Sequence, residues 1–143
     1  MDTAYETDIV AWAEEQVALL RTGRWALIDV AHIAEEIEAV GKSDRRELLH
    51  RLAILISHLM KWKYQPRLRG RGWASTILEQ RDSIEDVLTD SPSLRGLLHD
   101  PDWLARMYRR ARNMTIRETG FDDLPQQCPW PVDTVLAPEF FPD

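Results

Sequence analysis

Apolar residues recur every three to four positions along nearly the whole chain, and no stretch shows the two-residue alternation of a half-buried strand. This spacing predicts an all-α fold, a compact helical bundle of about five main helices with short connections. The length of 143 residues fits a single domain over 1–143, with a helical core at about 8–120. Prolines concentrate after residue 120, which predicts an irregular, proline-rich C-terminal strap over 121–143 with one helical turn near 132–136.

Capping residues divide the first half of the chain into three predicted helices. Thr7 is a suitable N-cap for the first helix, and Gly23 is a suitable terminator. A second helix is expected from about 29 to 40, stopped by Gly41. Ser43 is then expected to cap a third and longest helix that ends near Tyr64. The third helix is apolar on most of its sides, which is typical of a central helix.

The apolar spacing also predicts which side of each early helix is apolar. Ile9, Ala13, Val17 and Leu20 fall on one stripe of the first helix. In the second helix we expect a buried stripe formed by Ile33, Ile37 and Val40. Beyond the central helix, a fourth helix is predicted over about 73–89. A short helix is predicted to begin at residues 91–93, and a last helix is predicted over about 100–119.

Charge is distributed unevenly along a chain whose net charge is −6. Residues 1–41 contain nine acidic and two basic residues, and residues 42–81 contain three acidic and ten basic residues. Residues 82–143 contain twelve acidic and six basic residues. The chain is therefore acidic, then basic, then acidic, and a single net charge conceals this asymmetry.

The basic region contains the most distinctive surface candidate, in which cations alternate with aromatic rings between residues 61 and 73. Its candidate binding residues are Lys61, Trp62, Tyr64, Arg67, Arg69, Arg71 and Trp73. Cations neutralise phosphates and aromatic rings stack on unpaired bases, so one interpretation is binding of nucleic acid or another polyanion. The alternative is architectural: the segment pairs with Glu35, Glu36 and Glu38, and the low isoelectric point of about 5.2 favours this alternative.

Signals for catalysis are weak. His32 and Glu36 are four residues apart on one helix face, and His58 lies in an apolar helix, so a metal site formed by these three is a candidate. A space-filling His58 with one hydrogen-bond partner is the competing interpretation. Cys128 has no histidine near it in sequence, and no nucleophile elbow or phosphate-binding glycine loop occurs. We therefore expect no cofactor and favour a non-catalytic role.

Several short sequence motifs resemble those of the bacterial domain-of-unknown-function family numbered twenty-nine. They occur in order from Tyr5 to Phe141 and include Ala11-Trp12-Ala13-Glu14-Glu15-Gln16, Ile33-Ala34-Glu35-Glu36-Ile37-Glu38, His58-Leu59-Met60-Lys61-Trp62, Glu79-Gln80-Arg81, Ser91-Pro92-Ser93-Leu94, Glu118-Thr119-Gly120 and Cys128-Pro129-Trp130. The resemblance implies a bacterial protein with a compact α-helical domain. It implies no activity and carries over no catalytic residues.

The remaining expectations concern compartment and partners. One cysteine permits no internal disulfide, the N-terminal residues lack a secretory signal, and the longest apolar run, 52–56, is too short to cross a bilayer. A cytoplasmic location without membrane association is therefore expected. The competing interpretation of the six tryptophans is that they fill the core of a small bundle. Among functional interpretations, tryptophan and arginine favour an interaction module that binds a protein partner or itself, with nucleic acid as the alternative ligand.

Overall fold

Five α-helices form the framework of the computed structural model, which describes residues 4–143. They are α1 (Ile9–Arg21), α2 (Val30–Tyr64), α3 (Arg71–Asp90), α4 (Pro101–Thr119) and α5 (Val132–Leu136). Three short 3-10 helices lie between them, at Trp25–Leu27, Pro66–Leu68 and Pro92–His99. No strand occurs within residues 4–143, so the all-α prediction is confirmed.

The second and third predicted helices are one helix, α2, of 35 residues. Gly41 was expected to end the second helix and Ser43 to cap a new one, and both expectations are wrong. Gly41 lies inside α2 and does not adopt the positive φ of a helix-terminating glycine, whereas Gly23 and Gly120 do. A glycine inside a helix costs only about 1 kcal/mol relative to alanine, which the hydrogen bonds of a long helix readily offset.

Helix ends elsewhere follow ordinary capping chemistry. The Asp8 carboxylate, and not Thr7, caps α1 by accepting a hydrogen bond from the Ala11 backbone N–H at 3.1 Å. Asp100 caps α4 in the same way, accepting from the N–H groups of Asp102 and Trp103. Gly120 ends α4 with φ of 78°, a left-handed conformation that favours glycine, and α4 agrees with the helix predicted over about 100–119.

The chain divides into two compact units, with the boundary between Ser43 and Asp44. Within the first unit, only Trp12 and Gln16 are buried among the described residues. The stripe of Ile33, Ile37 and Val40 was predicted to be buried, but Ile33 is only half-buried and Ile37 and Val40 are 67% and 65% exposed. Helical periodicity identifies the apolar side of a helix, but a helix pair has too few layers to cover every apolar side. The single-domain interpretation stays a prediction.

The second unit contains the hydrophobic core. The C-terminal half of α2 is its centre, and Leu48, Leu52, Leu55 and Leu59 are fully inaccessible to solvent. Other elements of this unit contribute Ile77, Ile84, Leu88, Trp103, Met107, Tyr108, Ala111 and Val135. A buried hydrogen bond of 2.8 Å from Thr115 Oγ1 to Ser57 Oγ joins α4 to α2 within this core. The expectation of a central helix after residue 44 is thereby confirmed for this unit.

Arginine side chains hold the C-terminal strap by binding its backbone carbonyl groups. Arg81 is only 7% exposed and donates to the carbonyls of Val135, Pro138 and Phe140 at 3.0, 3.2 and 2.6 Å. Arg112 donates to the carbonyl of Leu124 in the same manner. Helix α5 occupies the place predicted for a single turn near 132–136. The strap therefore has fixed partners although most of it is irregular.

Candidate functional site

A polar and aromatic cluster joins α1 to the start of α2. The Trp12 indole N–H donates to Asp29 Oδ2 at 3.0 Å, and the Asp29 backbone N–H donates to Gln16 Oε1 at 2.7 Å. The other Asp29 oxygen accepts from the backbone N–H of His32 in the first turn of α2. One aspartate thus links the buried face of α1 to the N-terminus of α2.

His32 and Tyr5 extend this cluster outward. The His32 ring stacks on Tyr5 with centroids 4.2 Å apart, and its Nδ1 lies 2.6 Å from Asp29 Oδ2. The hydrogen bond to Asp29 raises the pKa of His32, and the bond with His32 lowers the pKa of Asp29. The Tyr5 hydroxyl donates to Glu36, which raises the pKa of Tyr5 to about 12.

An apolar groove lies beside this cluster, between α1 and the first turns of α2. Its lining residues are Trp12, Ala13, Gln16, Val17, Leu20, Ile33, Glu36, Ile37 and Val40. The two polar members already accept hydrogen bonds, Gln16 from the Asp29 backbone and Glu36 from Tyr5. The rest of the lining is aliphatic or aromatic, and Val17 is 42% exposed. We call this surface the α1–α2 groove.

The seven residues predicted between 61 and 73 separate into structural and exposed groups. Lys61 is buried and pairs with Glu118, and Trp62 packs on Phe141 with ring centroids 4.9 Å apart. Arg69 donates to the backbone carbonyls of Trp62 at 2.5 Å and Pro142 at 3.5 Å. These three residues therefore have fixed contacts within the second unit.

The exposed group of the same segment is Tyr64, Arg67 and Arg71, while Trp73 is half-buried. Neither Arg67 nor Arg71 has a hydrogen bond or ion pair to any residue within 4–143. Arg69 bonds to carbonyl oxygens, so none of these three arginines pairs with a carboxylate in the part of the chain that the structure describes. The two free guanidinium groups are thus available to an external anion.

The charge of long sequence segments does not reveal a second basic surface, which lies on α4. Arg106, Arg110 and Arg117 are exposed and share one face of α4 with Asn113 between them. The excess of acids over 82–143 conceals this row. The spacing of four, three and four residues in the sequence is the signal by which the row could have been found.

The metal candidates already have other partners. His58 Nδ1 lies 2.9 Å from the Ile54 carbonyl oxygen and donates to it, and burial lowers the pKa of His58. His32 and Glu36 are bonded to Asp29 and Tyr5, as described above. Among residues 4–143, no group of three or more histidine, cysteine, aspartate or glutamate side chains is placed to hold a metal ion. The metal-dependent alternative stays a prediction.

The two remaining features predicted from the sequence concern the Cys128 thiol and membrane-spanning segments. The Cys128 thiol is half-buried against the hydrophobic core, and burial raises its pKa, so it is less readily ionised than a free thiol. No helix within residues 4–143 has both the length and the apolar character required to cross a bilayer.

Comparison with known proteins gives one match. The family model described as "Domain of unknown function DUF29" matches residues 4–141, nearly the whole chain. No curated protein and no solved structure matches the chain.

Proposed function

Because the chain belongs to the DUF29 family, whose description assigns no activity, we propose a function from the geometry: a non-catalytic interaction module that binds a protein partner through the α1–α2 groove. The observation that carries this proposal is the exposure of the apolar residues Val17, Ile37 and Val40 around one groove. Contiguous exposed apolar surface is costly in water and marks interaction sites in soluble proteins. The bacterial and cytoplasmic setting expected from the sequence is part of this proposal.

Physical chemistry favours a macromolecular ligand over a small molecule at this groove. Its two polar groups are already engaged by Asp29 and Tyr5, so few remain to orient a small polar substrate. Burying an exposed aliphatic side chain contributes about 1.5–3 kcal/mol. Side chains that are only partly exposed gain part of this amount, and association itself costs about 4–15 kcal/mol, so the partner must cover several of them together.

Differential capture tests the proposal. The full chain, the double variant Ile37→Gln/Val40→Gln, and the control Leu68→Gln are each immobilised and exposed to a bacterial lysate. Leu68 is an equally exposed aliphatic residue outside the groove, at 61%. We expect a protein identified by mass spectrometry to be retained by the wild-type chain and the control, but not by the double variant. Equal retention by all three, together with no groove-dependent self-association, would refute the proposal.

The exposure of Arg67 and Arg71 supports a second candidate, polyanion binding by the basic–aromatic segment 61–73. Each phosphate contact on single-stranded nucleic acid contributes about 0.7 to the slope of log affinity against log salt. Arg67→Gln/Arg71→Gln is therefore expected to reduce that slope by about 1.4 in an anisotropy titration with a labelled oligonucleotide. Absence of binding by the wild-type chain at low salt removes this candidate.

A further inference from the structure

The charge around the α1–α2 groove indicates the chemistry of its occupant, an inference that rests on the proposed function. Residues 1–43 contain nine acidic and three basic residues. Glu14 is exposed and adjoins the groove residues Ala13 and Val17, and Glu36 lies in the lining itself. The exposed Arg21 also adjoins Val17, so the acidic rim of the groove is formed by Glu14 and Glu36. A partner with basic residues beside its apolar contact is attracted by this excess, whereas an acidic partner is repelled.

The shape of the groove favours a helix as the occupant. Both walls are α-helices, so no strand edge offers free backbone groups to an extended peptide. The half-buried Ile33 and the exposed Ile37 and Val40 are spaced by four and three positions, which forms a ridge of the kind that packs between side chains of another helix. This ridge extends for about 10 Å, or two helical turns. A partner with apolar residues at i, i+4 and i+7 matches it in length.

A second copy of the chain is a poor occupant on the same evidence. A two-fold interface through this groove places the acidic excess of residues 1–43 against itself. The arginine-rich helix of this chain, α4, already buries its apolar side through Trp103, Met107 and Ala111. It therefore has no apolar stripe left to insert into a neighbour's groove.

We infer that the α1–α2 groove binds an amphipathic helix of another protein, one whose apolar stripe is flanked by lysine or arginine. The apolar stripe covers Val17, Ile37 and Val40, and the flanking cations lie near Glu14 and Glu36. Coulombic attraction at the rim raises the association rate and selects basic over acidic helices, while apolar burial supplies most of the affinity.

Fluorescence anisotropy with designed peptides tests this inference on the full chain. The probe is a fluorescein-labelled 18-residue helix, about five turns long, with leucine at the apolar positions and lysine at the flanks. A matched peptide carries glutamate in place of lysine. We expect the lysine peptide to bind at least about tenfold more tightly, a difference of about 1.4 kcal/mol. We also expect Ile37→Gln/Val40→Gln to abolish binding and Leu68→Gln to retain it.

The other outcomes separate the inference from the proposed function. Equal binding of both peptides, lost in the double variant, overturns the basic specificity and leaves the groove as an interaction surface. Binding of neither peptide, with a dimer in light scattering that the double variant abolishes, makes a second copy the occupant and overturns the inference alone. Binding of neither peptide and no groove-dependent dimer overturns both.

Discussion

The three hydrogen bonds from Arg81 to the strap allow a stability prediction to be worked out from the structure. The bond to the Val135 carbonyl is buried, and those to Pro138 and Phe140 are partly buried. A buried hydrogen bond to a charged group is worth about 1.5–3 kcal/mol, and a partly exposed one contributes less because water replaces the lost partner. The guanidinium also lies 5.6 Å from the Phe141 ring centroid, which adds about 0.5–1 kcal/mol.

Arg81→Met keeps an unbranched side chain in place of the arginine's aliphatic stem and removes all of these interactions. We expect a loss of about 3–5 kcal/mol in the free energy of unfolding, measured by urea denaturation with circular dichroism. Arg81→Lys is expected to recover only part of the loss, because a single ammonium group cannot reach the three carbonyl groups that the planar guanidinium contacts with separate nitrogens.

The control for this experiment is Arg95→Met. Arg95 is 50% exposed and pairs with Glu85, which is 64% exposed, so its removal is expected to cost less than about 1 kcal/mol. A loss below about 1 kcal/mol for Arg81→Met as well would refute the view that carbonyl-binding arginines hold the strap.

Two further predictions concern a glycine pair and a titrating pair. Gly41→Ala is expected to stabilise the chain by about 0.5–1 kcal/mol, because nothing lies within 4 Å of the added Cβ. Gly120→Ala is expected to destabilise the chain, because the backbone φ at Gly120 is 78°. Urea denaturation of both variants measures these changes, and equal effects of the two substitutions would contradict the prediction. Because its pKa is raised in the folded state, His32 contributes stability that is fully present below about pH 6.5. This contribution is lost as the pH rises through the folded-state pKa. Because its pKa is lowered in the folded state, Asp29 contributes stability to the fold above about pH 3.8. This contribution is lost as the pH falls through the folded-state pKa of Asp29. Asp29→Asn should therefore lower the His32 pKa in an NMR titration, and an unchanged value would contradict the pairing.

The sequence predicts the core of the second unit well and the exposed groove poorly, for one physical reason. Helical spacing identifies Leu52 and Leu59 as lying on an apolar side, and both are buried. The same spacing identifies Ile37 and Val40, which are exposed. Periodicity reports which side of a helix is apolar, but whether another layer covers that side depends on tertiary packing.

Helix boundaries and arginine partners show the same division between local and long-range effects. Asp100 and Gly120 act through neighbouring backbone groups, so the sequence locates α4 correctly. Arg81 acts on carbonyls more than fifty residues away, and nothing local identifies those acceptors. The arginine row of α4 was identifiable from its spacing but was concealed by a charge count taken over a longer segment.

The most direct test of the α1–α2 groove as a docking surface is the unfolding free energy of the double variant Ile37→Gln/Val40→Gln. Residues exposed for a partner contribute little to the stability of the free chain, so we expect a change within about 0.5 kcal/mol. Ile56→Ala, at a position only 1% exposed, is expected to cost about 2–5 kcal/mol in the same assay. A loss of about 2 kcal/mol or more in the double variant would show that the stripe belongs to the core and would contradict the docking surface.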